Sequence, residues 1–274
     1  MKHKILSNGL KLPYPGLGTY KIGRTDKEVY NAVRSAIDLG YRHIDTATLY
    51  HNEAAVGKAI RESGIAREDL FVTTKIWGSD ILENKVQKAF DTSMRLLNIG
   101  YSDLYLVHWP VKDKLEFAWR EMEKIHDSGK TKSIGVSNHL EHHLKTIMNI
   151  ATIKPVVNQI EMHPYLVLDD LLAFCKANDM VCESWSPLGS SKIPLLEEKL
   201  LNEIGEKHNK SAAQVVLRWN IEQGVVALPK SGSPERQAEN IDIFDFELTP
   251  DEVEAISSLN RNHRTGAHPD EIAF

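Results

Sequence analysis

The amino-acid sequence predicts an α/β protein, a (β/α)8 TIM barrel preceded by a β-hairpin. Three observations carry this expectation. Short apolar runs alternate with helix-period segments, which implies a parallel sheet. The runs number eight, the count of a closed barrel. No linker or low-complexity break interrupts the 274 residues, so residues 1–274 are expected to form one domain, close to the ~250 typical of such barrels.

The hairpin comes first: residues 4–6, a Ser7-Asn8-Gly9 turn, then residues 10–12, with Asn-Gly supplying the positive φ angles of a tight turn. The strands follow at residues 17–20, 41–45, 71–75, 104–108, 133–137, 156–160, 181–185 and 225–228. Between them, Thr25 and Glu28 are spaced as a capping box. Val29, Val33, Ala36 and Ile37 share one helix face behind it. Val86, Phe90, Met94 and Leu97 form a second such stripe, and Leu115, Ala118, Trp119 and Met122 a third. Gly40, Gly64, Gly100 and Gly129 stand where helices should stop. An open doubly wound sheet would show the same alternation, but Gly16-Leu17-Gly18 lacks the third glycine of a dinucleotide fingerprint, with Lys21 in its place.

Composition narrows the function. A net charge of −5 argues against general nucleic-acid or anionic-membrane binding. No run is long enough to span a membrane, and the N-terminus lacks the apolar stretch of a signal peptide. Cys175 and Cys182 are the only cysteines, which suggests a reducing compartment, and a cytoplasmic protein is expected. They read as half-buried small hydrophobes. Asn209-Lys210-Ser211 reads as a helix start rather than a glycosylation site.

The strand ends are the informative places. Asp45, Lys75 and His108 each close an apolar run at its C-terminal end, the face on which barrel active sites lie. Tyr50 follows in the loop after Asp45 and can fold back over that mouth. Tyr and Lys titrate near about 10 and 10.4 when unperturbed. A charged Lys75 beside Tyr50 would stabilise the phenolate and ease release of its proton, with Asp45 holding Lys75 charged. His108 could donate a hydrogen bond to a carbonyl oxygen. Such a set is a general acid for a carbonyl and needs no metal.

Several segments point the same way. They are Gly40-Tyr41-Arg42-His43-Ile44-Asp45-Thr46-Ala47 with Tyr50 and Asn52-Glu53, Leu106-Val107-His108-Trp109-Pro110, Gly135-Val136-Ser137-Asn138, residues 158–164 and Leu228-Pro229-Lys230-Ser231. In that order they resemble the aldo-keto reductases over nearly the whole chain. The resemblance implies a catalytic tetrad of Asp45, Tyr50, Lys75 and His108, and an extended NADPH across the barrel mouth. It implies that Ser137, Asn138 and Gln159 hold the nicotinamide carboxamide and that Trp185 stacks on the ring. Ser186, Pro187, Leu188 and Gly189 would follow the pyrophosphate. Lys230, Ser231, Ser233, Arg236 and Asn240 would surround the adenosine 2′-phosphate and adenine, and Gly18, Thr19 and Glu239 complete the cofactor set. Ser233 before Pro234 is also a helix start on its own terms. Tyr20, Trp77, His108 and Trp109 are candidates for the substrate wall.

The departures are instructive. Trp185 stands where many members carry Tyr, and His139 where many carry Phe. The loops after the third and fourth strands are short, and the tail from Arg264 to Phe274 resembles the short tail of prokaryotic members, lying near the active-site face. Small carbonyls, such as ketoaldehydes and sugar-derived dicarbonyls, are therefore expected over steroids, with a monomer as the working form. His139, His142 and His143 mimic a metal site at helix spacing, but read as a solvated helix face, and no metal is expected. Two other readings share the fold: a cofactor-binding sensor subunit with incidental turnover, and an aldolase or isomerase using Lys75 as a Schiff-base amine.

Overall fold

The protein, described from residue 2 to residue 274 by a computed structural model, builds its core on eight parallel strands. An antiparallel hairpin, β1 (Lys2–Ile5) and β2 (Lys11–Tyr14), precedes them. The barrel strands are β3 (Leu17–Gly18), β4 (His43–Asp45), β5 (Phe71–Ile76), β6 (Leu104–Val107), β7 (Ile134–Ser137), β8 (Val157–Glu161), β9 (Val181–Trp185) and β10 (Val226–Leu228). Each pairs in parallel with the next in the sequence. Every run read from the sequence therefore forms a strand.

The sheet closes between its first and last strands. Gly16 N–H donates to the Ala227 carbonyl and Gly18 N–H to that of Pro229, both at 3.0 Å. Glycine is required at this seam. A Cβ on Gly16 would fall 2.5 Å from the Leu228 side chain and 2.6 Å from the His43 ring, and one on Gly18 would fall 3.0 Å from the Leu228 carbonyl oxygen.

Leu6 and Leu12 of the hairpin region pack with Phe71, Leu104, Leu106, Val157 and Val226 and plug the N-terminal end of the barrel. The turn departs from expectation: only Gly9 takes positive φ, at 85°, and Asn8 uses its amide to bond Ser133 Oγ at 2.8 Å. That leaves the opposite, C-terminal end open for a site.

Helices cover the outside. Their apolar stripes pack onto the strands, and Trp119 and Trp219 are fully buried with each indole N–H bonded, to Ile153 O and Ser257 Oγ at 3.0 Å. Thr25 caps helix Asp26–Asp38, but the expected box is half formed: Glu28 takes the N–H of Arg24, not that of Thr25. Gly40, Gly64, Gly100 and Gly129 all sit at positive φ past helix ends. Ser211 caps helix Ala212–Glu222 in a complete box with Gln214. The cysteines are free and fully inside, not half-buried. Among the described residues no helix is long and apolar enough to cross a membrane.

One close approach sets the spacing of the helical layer beside the site. A Cβ on Gly57, in helix Glu53–Arg61, would lie 2.0 Å from the backbone oxygen of Leu97 at the end of helix Val86–Leu97. Backbone cannot yield as a side chain would. Gly57→Ala is expected to cost about 1–3 kcal/mol, the scale of overpacking, read as a lower urea midpoint at unchanged slope; an unmoved midpoint would show that the two helices separate freely.

Candidate active site

The C-terminal ends of β4, β5 and β6 bring Asp45, Lys75 and His108 to one mouth, as their places in the sequence suggest. Lys75 has no exposure to solvent. Its three N–H donors reach Asp45 Oδ1 at 2.5 Å, the Thr46 carbonyl at 3.0 Å and the Tyr50 hydroxyl at 3.4 Å. Burial pushes the Lys75 pKa down, but Asp45 and Tyr50 outweigh it and hold it above its ordinary value.

Tyr50 ends a 3-10 turn, Thr48–Tyr50, that is tied down from both sides. Thr48 Oγ1 donates to the Lys75 carbonyl at 2.9 Å, and Asn52 bonds Thr46 Oγ1 at 2.7 Å and the Thr19 carbonyl at 3.0 Å. His51 turns the chain out at φ 53°. The effect of Lys75 on Tyr50 is as the sequence suggests, and burial adds a larger one. Burial pushes its pKa up to about 12; Lys75 pulls it down, while Asp45 works against Lys75. The phenol therefore keeps its proton across the neutral range.

His108 meets Tyr50 edge-on at 5.7 Å between ring centroids, and Trp77 at 5.3 Å. Its Nδ1 is buried without a partner. Burial and then the Lys75 charge hold its pKa well below the usual value. It is a neutral imidazole, able to donate one N–H without carrying charge.

On the far side of the barrel, Ser137, Asn138, Gln159 and Trp185 stand together. Ser137 Oγ bonds the Gln159 carbonyl at 2.8 Å. Asn138, at φ 62°, donates to the His108 carbonyl at 2.9 Å and accepts the Trp185 indole N–H at 2.7 Å. That bond fixes the half-buried Trp185 ring, which also faces Trp109 at 6.4 Å. The segment Ser186–Gly189 makes a tight turn, with Gly189 N–H on the Ser186 carbonyl at 2.9 Å. Gly18 and Thr19 border the mouth at the seam, Thr19 Oγ1 on the Asp45 carbonyl at 2.9 Å.

Past that seam, Ser233 caps helix Pro234–Ile241 by accepting the Arg236 N–H at 3.3 Å, with Pro234 in the first turn. Lys230 and Arg236 are exposed around this start, while Ser231 and Asn240 are buried. The Glu239 carboxylate is taken by Ser211 Oγ. A helix N-terminus flanked by two cations fits a phosphate, and a fixed indole at the mouth fits a flat ring.

Aromatic rings and the chain's last residue complete the mouth. Phe274, the last residue, packs edge-on against Trp77 at 5.3 Å, over Gly78, where a Cβ would overlap its ring. Tyr20 is exposed and lies 5.0 Å from the Tyr50 ring. The tail reaches this place because Thr265 and Gly266 donate backbone N–H groups to Glu161, at 2.6 Å and 3.2 Å. The tail lies near the active-site face as expected, while its ring contact with Trp77 depends on the fold. The histidine cluster also needs correction: His139 and His143 are buried, and only His142 is exposed. His143 Nδ1 accepts the Leu140 N–H, so its proton sits on Nε2, facing Asp270 Oδ1 at 3.1 Å. That polarity suits a carboxylate of the tail rather than a metal.

Because His108 is held neutral, its ring resonances should not titrate between about pH 7 and about pH 5.5 by NMR, where an unperturbed histidine, near about 6.5, would. A midpoint near that ordinary value would mean a wetter site than the packing gives.

Comparison with known proteins agrees with this geometry. Residues 16–261 match the model of the Aldo/keto reductase family. The chain is 47% identical to a glyoxal reductase of Bacillus subtilis, over 98% of this chain and 96% of that one. It is 40% identical to the methylglyoxal reductase DkgA of Salmonella typhimurium, over 97% and 96%. A crystal structure of an aldo-keto reductase from a Medee basin deep-sea metagenome superposes with a TM-score of 0.96 at 41% identity, covering 99% of this chain and all of the other. The chain belongs to the aldo-keto reductase family and is an oxidoreductase acting on carbonyl groups with a nicotinamide cofactor.

Proposed function

We propose that the protein reduces small aldehydes and ketones with NADPH, and that Tyr50 gives the proton to the carbonyl oxygen. One observation carries the reading: Lys75 Nζ stands between Asp45 Oδ1 at 2.5 Å and the Tyr50 hydroxyl at 3.4 Å. When bound, the reduced cofactor supplies the hydride to the carbonyl carbon. The chain's own residues manage the proton. Tyr50 holds it ready, since its pKa is pushed up to about 12. As negative charge grows on the carbonyl oxygen, Tyr50 and neutral His108 donate to it. Lys75 then faces the phenolate that forms, and Asp45 keeps Lys75 placed.

Ser137, Asn138, Gln159 and Trp185 would receive the nicotinamide, with Ser186, Pro187, Leu188 and Gly189 along the pyrophosphate. Gly18 and Thr19 would border the cofactor, and Ser231, Glu239 and Asn240 would line its adenosine end with Lys230, Ser233 and Arg236. Tyr20, Trp77 and Trp109 would form the substrate wall. The names of the relatives, glyoxal and methylglyoxal reductases, and the short loops favour small dicarbonyls. A single-domain monomer in the cytoplasm is part of the same reading, in keeping with two free buried thiols.

Tyr50→Phe should abolish nearly all NADPH oxidation with a small dicarbonyl while NADPH still binds. Retention of more than about a tenth of the parent kcat, roughly 1.4 kcal/mol in the barrier, would mean that another group donates the proton.

Cofactor choice is tested at the helix start. The Arg236 guanidinium can grip a phosphate with two hydrogen bonds. Arg236→Ala should weaken NADPH binding by about 1.5–3 kcal/mol, the worth of a hydrogen bond to a charged group, and leave NADH nearly untouched. Equal weakening of both cofactors would place its effect on the fold or the shared pyrophosphate.

A further inference from the structure

A second carboxyl lies under the tetrad. Glu183, on β9, has no exposure to solvent, and neighbours Gln159 of β8 in register. The Gln159 amide nitrogen donates one hydrogen to Glu183 Oε2 and the other to Asp45 Oδ2, both at 2.8 Å. The orientation of this amide is fixed by Asp45, the ion partner of Lys75: turned over, the amide oxygen would meet the Asp45 carboxylate with no hydrogen between them. A continuous chain thus runs Glu183, Gln159, Asp45, Lys75, Tyr50.

We propose that Glu183 is a positioning residue for carbonyl reduction: with Asp45 it clamps the amide nitrogen of Gln159, leaves the amide oxygen turned away from both carboxyls to receive the cofactor's carboxamide, and joins Glu183 electrostatically to the proton donor. The inference rests on the proposed NADPH reading of the site.

The surroundings of Glu183 decide its charge. Asp45 and His43 face it from β4 and Lys75 from β5, while Gln159 reaches it from β8. On β10, Val226 is its partner in register. Its own strand carries Cys182 beside it. The other oxygen, Oε1, is buried without a hydrogen bond, 3.8 Å from His43 Nε2. Burial pushes His43 down to about 3, so it is neutral and offers no ion pair. Burial, and then Asp45, push Glu183 up to about 8. Glu183 therefore carries a proton at neutral pH and loses it as the pH rises past that value. The new negative charge lies one amide away from Asp45. It opposes the phenolate that forms as Tyr50 gives up its proton, so turnover should fall on the alkaline side.

Two variants test this. Glu183→Met removes the acceptor at similar length. It should weaken NADPH binding about tenfold, the scale of one lost buried partner, while 2′,5′-ADP, which lacks the nicotinamide, binds as to the parent; tryptophan fluorescence quenching or calorimetry reads both. Equal weakening of the two ligands, or parent-like binding of both, would overturn the proposal. Glu183→Gln keeps an oxygen for Gln159 but cannot ionise. The parent's kcat should decline several-fold between about pH 7 and about pH 9, around the pKa near 8, and this variant should lose that decline. An unchanged alkaline limb in Glu183→Gln would also overturn it. A parent chain that binds no NADPH would instead overturn the function reading itself, and this inference with it.

Discussion

The buried pair of Asp45 and Lys75 is the constraint around which the rest of the mouth is arranged. An ammonium taken wholly out of water costs several kcal/mol even after relaxation, and Lys75 is wholly out of water. Each of its three donors must find an acceptor, and each acceptor comes from a different part of the neighbouring segment: a side chain, a backbone carbonyl and a phenol. That requirement fixes the register of β4 against β5, where Asp45 pairs with Thr73, and the place of the turn that carries Tyr50. Losing one member of such a pair strands the other, at a cost of about 3–5 kcal/mol. The geometry that the proposed proton donation needs is thus the same geometry that makes the buried charge tolerable.

The interior of the barrel is correspondingly expensive. His43, Asp45, Lys75, Gln159 and Glu183 all sit inside it, and two of their polar atoms, His43 Nδ1 and Glu183 Oε1, have no partner. Stability comes from elsewhere, chiefly the apolar layer between strands and helices, where Trp119, Trp219, Phe90 and the aliphatic stripes pack. The hairpin plug at the other end of the barrel leaves the open end as the single mouth served by the polar interior. An outer shell that pays for an inner polar set explains why the helices can be regular while the barrel lumen is not.

Much of this was legible in the sequence, because it is written locally. The strands announce themselves as apolar runs, Ser233-Pro234 as a helix start, and Asp45, Lys75 and His108 as polar ends of apolar runs. What was not legible depends on contacts distant along the chain. Glu183 sits in a strand where alternation alone does not tell lumen from surface, and only the fold shows that it faces Asp45. Phe274 looks like an ordinary terminal residue until Gly78 is found beneath its ring. For Tyr50 the sequence reveals the lysine neighbour that pulls its pKa down, but not the depth of burial that outweighs it. The spacing of the histidines after β7 suggests a wet helix face because it does not show that a tail folds over them.

The mouth divides the work between rigid and replaceable parts. Tyr50, the proposed proton donor, with Lys75 and Asp45, belongs to strands and to one tied turn, held by backbone as well as side-chain bonds. The rings beside them belong to loops and to the tail: Tyr20, Trp77 and Phe274, the last brought in by Glu161 and by the contact of Asp270 with His142 and His143. Phe274 touches Trp77, Trp77 touches His108, and neither touches Lys75 through a hydrogen bond. A change in tail length or in its terminal ring therefore reshapes the pocket without disturbing the buried charge on which donation depends. On the proposed function, that separation would let one proton-donating core serve carbonyls of different shape, with selectivity set in the tail and the two short loops.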